Sequence, residues 1–355
     1  MQLRKFPSIE QFRHVVANVV HRAEYIGQDS NDEPMYDAQR RKPVLTFYGT
    51  VKLHGSNCGI AFDLLNHTVE AQSRERILSV EEDNFGFCAW SQSPDGAEDL
   101  YQLRPIIRHG AASQVPQPLV AIRVFGEWCG PQVNGKTGIG KLPLRWVVFG
   151  VLATLEDGTE QWLSVERVAA DWRQYRRGKT ESLIHFITDY PRYTINIDFN
   201  APEASLDELE KLTLSVEEDC PVARAMGGSG IGEGIVWACQ DSVYGYQVFK
   251  TKGTKHKGTK NSRLVQVAPE VLASLDAFTD AVLTESRLEQ GYELIRADFG
   301  KVTEDHIGQF LQWIGKDVLK EEADTLAASG LERKQVMGRI NHRAKAWLLP
   351  RLARY

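Results

Sequence analysis

Nothing in this chain approaches the roughly 18 consecutive apolar residues that a membrane-spanning helix needs, so no transmembrane segment is expected. Cysteine is scarce. The five present (Cys58, Cys88, Cys129, Cys220 and Cys239) are odd in number and form no C-x-x-C pair. That excludes a disulfide framework or a zinc site of ordinary spacing and predicts a reducing, cytoplasmic setting. The opening residues Met1-Gln2-Leu3-Arg4-Lys5-Phe6-Pro7 hold no apolar core, and no secretory signal is expected there. Charge of one sign is also missing, since the net charge is −5, which excludes a generally basic surface. What remains is an ordinary globular composition, 42% hydrophobic and 25% charged. At 355 residues the chain exceeds the roughly 250–300 that one core sustains, so two domains are expected.

The basic residues are unevenly placed. Residues 246–265 contain Lys250, Lys252, Lys255, Lys257, Lys260 and Arg263 and no acid, a local charge of +6. Such a segment is either a solvated loop or a localised anion site.

Periodicity divides the chain. Ser8-x-x-Gln11 reads as a capping box, followed by Ile9, Phe12, Val15, Val16, Val19 and Val20 at helical spacing. Val44–Val51 is β-branched and aromatic, His54-Gly55-Ser56-Asn57 is turn-like, and Ile60-Ala61-Phe62 resumes the apolar run. Further strands are expected at 119–127, 146–153, 234–239 and 244–250. Helices are expected near 80–91, behind Ser79-x-x-Glu82, and near 164–177, closed by Gly178. Paired strands with interspersed helices predict an α+β domain of antiparallel sheets. Beyond about residue 266 the spacing is helical at 269–286, 303–314, 316–328 and 331–349, with Gly291, Gly300, Gly315 and Gly330 between segments. A small all-helical C-terminal domain follows from this.

Gly130-Pro131-Gln132-Val133-Asn134-Gly135-Lys136-Thr137 matches the phosphate-loop pattern G-x-x-x-x-G-K-[ST]. A phosphate loop needs a helix directly after it, whose N-terminal amides cradle the anion. Gly138-Ile139-Gly140-Lys141-Leu142-Pro143 cannot sustain that first turn. The match is rejected.

A second pattern has better context. K-x-x-G occurs at Lys52, Lys250 and Lys255, but only Lys52 leaves an apolar strand into a turn containing His54, Gly55 and Asn57. A lysine held there and partly desolvated suits a nucleophilic amine, because only the neutral form attacks. Downstream, Glu127 ends Val124-Phe125-Gly126-Glu127, Phe149 sits in Trp146–Gly150, and Glu233 opens Glu233-Gly234-Ile235-Val236. Lys250 and Lys252, two apart in a strand, share a face. Singly, each has a bland explanation as a strand-end charge or core aromatic.

In this order the motifs resemble the nucleotidyltransferase superfamily of covalent ligases and capping enzymes. The resemblance is strongest to the phage-type RNA ligase 2 family, nick-sealing enzymes related to the kinetoplastid RNA-editing ligases. It is carried by Lys52–Asn57, Val124–Pro131, Trp146–Phe149, Glu233–Val236 and Lys250-Thr251-Lys252, with Arg76–Phe87 resembling the segment after the family's second motif. Weaker similarity reaches Ala297–Lys301 and Ala346-Trp347. DNA ligases and capping enzymes typically have Asp where this chain has His54, and they continue into a β-rich OB-fold rather than helices. The chain departs from the pattern in three places. Ser73-Arg74 stands where the second motif usually carries its arginine, Gly150 replaces an acid, and Ala238 replaces a lysine.

The resemblance implies an adenylyltransferase domain over 1–262 and a helical nucleic-acid-binding domain over 263–355. It implies an ATP-dependent RNA ligase acting through lysyl-AMP on Lys52, with Mg²⁺ or Mn²⁺ as metal. Catalytic roles fall to Lys52, His54, Glu127, Glu233, Lys250 and Lys252. The nucleotide would also meet Val51, Leu53, Asn57, Arg74 and Phe149, the metal would use Glu233 and Asn57 through water, and Lys255, Lys257 and Lys260 would hold nucleic acid. The expected partner is RNA, as nicked duplex or RNA/DNA hybrid, with no membrane and no obligate protein partner. The alternatives are a DNA ligase or capping-type guanylyltransferase and, more remotely, a catalytically idle RNA-binding protein of the same fold.

Overall fold

The computed structural model describes residues 2–111, 114–115, 118–177, 182–256 and 274–352. In chain order its strands are Tyr25–Gln28 (β1), Pro34–Tyr36 (β2), Val44–Lys52 (β3), Ser56–Asp63 (β4), Thr68–Ser73 (β5) and Leu119–Cys129 (β6). Arg145–Leu155 (β7), Glu160–Leu163 (β8), Ile184–Phe186 (β9), Arg192–Asp198 (β10), Gly234–Asp241 (β11) and Gly245–Lys252 (β12) follow. The helices are Phe12–Glu24 (α1), Phe87–Gln92 (α2), Pro94–Ala111 (α3), Pro131–Asn134 (α4), Val165–Arg176 (α5) and Leu206–Glu218 (α6). After them come Pro221–Ala225 (α7), Leu275–Val282 (α8), Glu285–Phe299 (α9), Ile307–Glu321 (α10), Ala323–Ser329 (α11) and Arg333–Leu348 (α12). The architecture is α+β, with antiparallel sheets, flanking helices and a helical C-terminal region.

The chain forms two compact units, each discontinuous. One comprises Met1–Ser8, Leu53–Arg192 and Glu218–Gly232. Its sheet runs β5-β4-β6-β7-β8, antiparallel throughout, with β9 pairing parallel to β7. Alternation sends Cys58, Ile60, Phe62, Ile122, Val124 and Trp128 into a core closed by Phe87 and Trp90 of α2, Leu100 and Leu103 of α3, and Val168 and Trp172 of α5. Between Phe125 and Gly126 the β6–β7 register shifts, leaving Phe149 as the extra residue. This bulge switches the parity of β7, so Trp146 and Val148 face the helices before it and Val151 and Ala153 after it. The opposite face of the sheet therefore carries Asn57, Phe125 and Glu127.

The other unit comprises Ile9–Lys52, Tyr193–Glu217 and Glu233–Tyr355. Its main sheet has the order β10-β3-β11-β12. Leu45, Phe47 and Val51 alternate inward along β3, as the sequence predicts. They join Ile235, Trp237 and Phe249 on one face, with Phe12 of α1 5.0 Å from Phe249 between ring centroids. Within the same unit, α8 to α12 close a separate apolar core around Phe278, Ile295, Phe310, Ile314, Val336 and Ile340.

Several expected boundaries move, each for a physical reason. Ser8-x-x-Gln11 does not cap α1, which starts at Phe12 without a side-chain cap, because Glu10 is extended and bridges to Phe249 on the edge of β12. Ser79 Oγ does accept from the Glu82 amide at 3.1 Å, but no helix follows until Phe87. Phe85 and Gly86 at φ 52° and 76° interrupt it, and Asp83 then caps α2 through the Cys88 and Ala89 amides. In the tail, Gly300 and Gly330 end helices at φ 75° and 65°, as expected. Gly291 and Gly315 instead lie inside α9 and α10, where an added Cβ would meet the Trp313 ring at 2.8 Å and Met337 at 2.9 Å. They permit close helix packing rather than breaks. The rejected phosphate-loop match holds the four-residue helix α4 inside the motif and is followed directly by no α-helix, only by a three-residue 3-10 turn at Ile139–Lys141. The expected domain boundary at 262/263, and Gly178, lie outside the described residues.

Candidate active site

The second unit brings four of the expected residues together on the face of its sheet opposite the aromatic core. Antiparallel pairing sets Gly234 of β11 between Lys52 of β3 and Lys252 of β12, with Lys250 one step along. Gly234 stands at φ +155°, and a Cβ there would lie 2.0 Å from the Thr251 carbonyl oxygen. Only glycine fits, and its bare backbone separates the two lysines in the row. Glu233, immediately before it and 2% exposed, fills the gap electrostatically. Lys52 Nζ donates to Glu233 Oε2 at 2.6 Å, and Lys252 Nζ lies 3.2 Å from Glu233 Oε1. The structure places a carboxylate in direct contact with Lys52, a pairing that the order of the motifs alone does not show.

Lys250 and Lys252 are also held by residues that no motif announces. Lys250 Nζ donates to Glu321 Oε1 of α10 at 2.5 Å, and Lys252 Nζ donates to Gln290 Oε1 of α9 at 3.0 Å. Glu321 Oε2 in turn accepts from Arg287, a guanidinium 1% exposed, at 3.0 Å. Arg287 also donates to Asp317 at 2.8 Å, and Arg13 of α1 pairs with Glu322 at 3.0 Å. Burial alone pushes the Glu321 carboxyl up, but Lys250, Arg287 and Lys252 outweigh it and hold the group well below the usual carboxylate range. Burial likewise disfavours the charged form of Lys252, and Glu233, Glu321 and Asp317 reverse that, raising its pKa. Lys252 is thus kept as an ammonium group in a low-dielectric setting.

The first unit holds a separate cluster. Asn57 of β4 is opposite Glu127 of β6, and Glu127 Oε1 accepts from the Gly55 amide at 2.9 Å. Gly55 has no room for a side chain, since a Cβ would meet the Trp128 carbonyl oxygen at 2.3 Å. The turn carrying His54 is therefore tied to the strand carrying Glu127. Nearby Cys129 is fully buried, and burial, with Glu127 adding to it, pushes its thiol well up and away from nucleophilic chemistry. Phe149 is half-buried, with its ring 4.8 Å and 72° from that of Phe6. The Gly150 departure has a steric basis here: a side chain at 150 would meet Phe6 at 2.8 Å and Trp162 at 3.2 Å.

At the second motif, Ser73 is buried and its hydroxyl accepts from the Glu75 and Arg76 amides, so it builds a turn. Arg74 is exposed beside it. Val51 and Leu53 are buried. Lys255 is exposed in a short turn whose backbone is anchored by Glu217, through the Lys255 amide at 2.7 Å. Lys257 and Lys260 lie outside the described residues. Among the described residues, no three His, Cys, Asp or Glu side chains gather as metal ligands. A single buried carboxylate such as Glu233, shared here with Lys52 and Lys252, suits Mg²⁺, which keeps several waters and takes few protein ligands.

A family model described as RNA ligase matches residues 45–252, more than half of the chain, and the chain belongs to the RNA ligase family. It is similar to solved structures of a Naegleria gruberi RNA ligase. One, a mutant with AMP and Mn, is 12% identical at a TM-score of 0.40, covering 71% of this chain and 56% of that one. The form with PPi is 14% identical at 0.39, covering 71% and 58%. A different mutant with ATP and Mn is 14% identical at 0.42, covering 71% and 56%. The chain spans a little over half the length of these relatives. No curated protein matches it. Among the described residues, no helix is long and apolar enough to cross a membrane.

Proposed function

We propose that the chain is an ATP-dependent RNA ligase that joins a 5′-phosphate to a 3′-hydroxyl at nicks, through a lysyl-AMP intermediate on Lys52. The observation that carries this reading is the row Lys52–Glu233–Lys252 with Lys250 beside it, inside the segment that defines family membership.

Each residue has a chemical task in that reaction. Lys52 Nζ, once deprotonated, attacks the α-phosphorus of ATP; an N–P bond forms and the P–O bond to pyrophosphate breaks. Before that, Glu233 holds the ammonium in place by the 2.6 Å contact. Lys250 and Lys252 neutralise the charge that accumulates on the phosphate oxygens in the transition state. A divalent ion, Mg²⁺ or Mn²⁺, would be held by Glu233 and would add to that neutralisation. The water-bridged role of Asn57 toward the metal rests on the family resemblance. So do the stacking of Phe149 on adenine, the acceptance of a ribose hydroxyl by Glu127, and the contact of Arg74, Val51 and Leu53 with the nucleotide. AMP then passes to the 5′-phosphate, and the 3′-hydroxyl displaces it, with His54 acting at these later steps. Lys255, Lys257 and Lys260 would hold the nucleic-acid backbone through salt-sensitive contacts.

A ligation panel tests the substrate assignment. Nicked duplexes with RNA or DNA on each side of the break are sealed in the presence of ATP and Mg²⁺. Sealing should be best with RNA supplying the 3′-hydroxyl end. Equal or faster sealing of all-DNA nicks would contradict the RNA assignment.

A further inference from the structure

The tail helices are not remote from the proposed chemistry, because they supply direct partners to both lysines that would meet the triphosphate. We propose that Glu321 of α10 is a positioning residue for nucleotide binding: anchored by Arg287, it fixes the Lys250 ammonium so that its remaining N–H bonds meet phosphate oxygen. This rests on the reading of Lys250 given above.

Three observations support it. The contact is short and direct, 2.5 Å from Lys250 Nζ to Glu321 Oε1. The carboxylate is itself immobilised: Oε2 accepts from Arg287 Nη2 at 3.0 Å and from Gln11 Nε2 at 3.4 Å, and the Glu321 carbonyl oxygen accepts from Arg13 at 2.5 Å. Glu321 is thus tied to α9 and to the segment leading into α1 as well as to β12. Lysine has a flexible four-carbon stem and three rotatable donors, so a fixed acceptor on one donor restricts where the other two point. Lys252, the next lysine on that face, shows the same arrangement, with Gln290 of α9 on one side and Glu233 on the other. Nucleotide binding should therefore depend on tail residues that touch no nucleotide.

The test is equilibrium binding of a non-hydrolysable α,β-methylene analogue of ATP to the full chain, in wild type, Glu321→Ala, Glu321→Gln, Lys250→Ala and the Lys250→Ala/Glu321→Ala double variant. Glu321→Ala should weaken binding about tenfold, the scale of one charge-assisted contact. Glu321→Gln, which keeps an acceptor oxygen, should recover part of that loss. In the Lys250→Ala background, removing Glu321 should change affinity by less than about twofold, because a residue acting through Lys250 has nothing left to position. The same loss in both backgrounds would reduce Glu321 to a structural brace and overturn the proposal. Unchanged or tighter binding by Glu321→Ala, with Lys250→Ala still weakened, would overturn it too, since Glu321 would then be idle or a competitor of the phosphates. Unchanged binding by Lys250→Ala would instead remove the reading of Lys250 on which the inference stands.

Discussion

At Gly234 the backbone stands at φ +155°, with the Thr251 carbonyl oxygen where a Cβ would be. The glycine of the Glu-Gly pair is thus fixed by sterics, and the glutamate before it is aimed by that same backbone. Gly234→Ala should destabilise the fold by about 2 kcal/mol or more, because the clash is with backbone and cannot be relieved by a rotamer change. Urea denaturation read by fluorescence measures it, and a variant as stable as wild type would contradict the geometry. Of the residues given the proposed chemistry, Lys52 and Lys252 flank Gly234 in one row with Lys250 one step along, as strand alternation and pairing place them, whereas the contacts of Glu233 with Lys52 and Lys252 do not follow from alternation. Glu321, Gln290 and Arg287 were not legible in the sequence. Their contacts to β12 span 71 and 38 positions, and periodicity within α9 and α10 says only that these helices bury an apolar face.

Among the elements, strands were easier to place than helices. The alternation of β3 and the apolar runs of β6 and β7 survive almost unchanged from pattern to structure. Short β8 and β9 carry too few residues to stand out, and α3 was hidden by Pro105 within it. The bulge at Phe149 was invisible as well, since it depends on which residue of β6 faces which of β7. Glycines in the tail show why spacing alone misleads: identical residues end helices at 300 and 330 but sit within them at 291 and 315. A pair of substitutions separates these uses. Gly338, exposed within α12 with nothing within 4 Å of an added Cβ, should gain about 0.5–1 kcal/mol as Gly338→Ala from helix propensity. Gly291→Ala gains the same propensity but must displace the Trp313 ring 2.8 Å away, and a net loss is expected. Denaturation midpoints of the two variants check this, and stabilisation by both would refute the packing role of Gly291.

For the whole molecule, the sequence showed strands giving way to helices but not the division into compact units. The chain passes between them at Ser8–Ile9, Lys52–Leu53, Arg192–Tyr193, Glu217–Glu218 and Gly232–Glu233, and all but the first lie at or beside strand and helix ends. No composition shift marks such crossings. Lys52 is the last residue of its strand, and His54 follows two positions later in the other unit. The stretch Lys52–Asn57 therefore begins in one unit and ends in the other. Every later step of the proposed reaction depends on covalent uptake of a nucleotide by Lys52, which intact-protein mass spectrometry detects. Wild type incubated with ATP and Mg²⁺ should gain the mass of one AMP, localised to Lys52 by peptide mapping and reversed by added pyrophosphate, while folded Lys52→Ala should gain none. An adduct persisting in Lys52→Ala, or no adduct on wild type, would contradict the account.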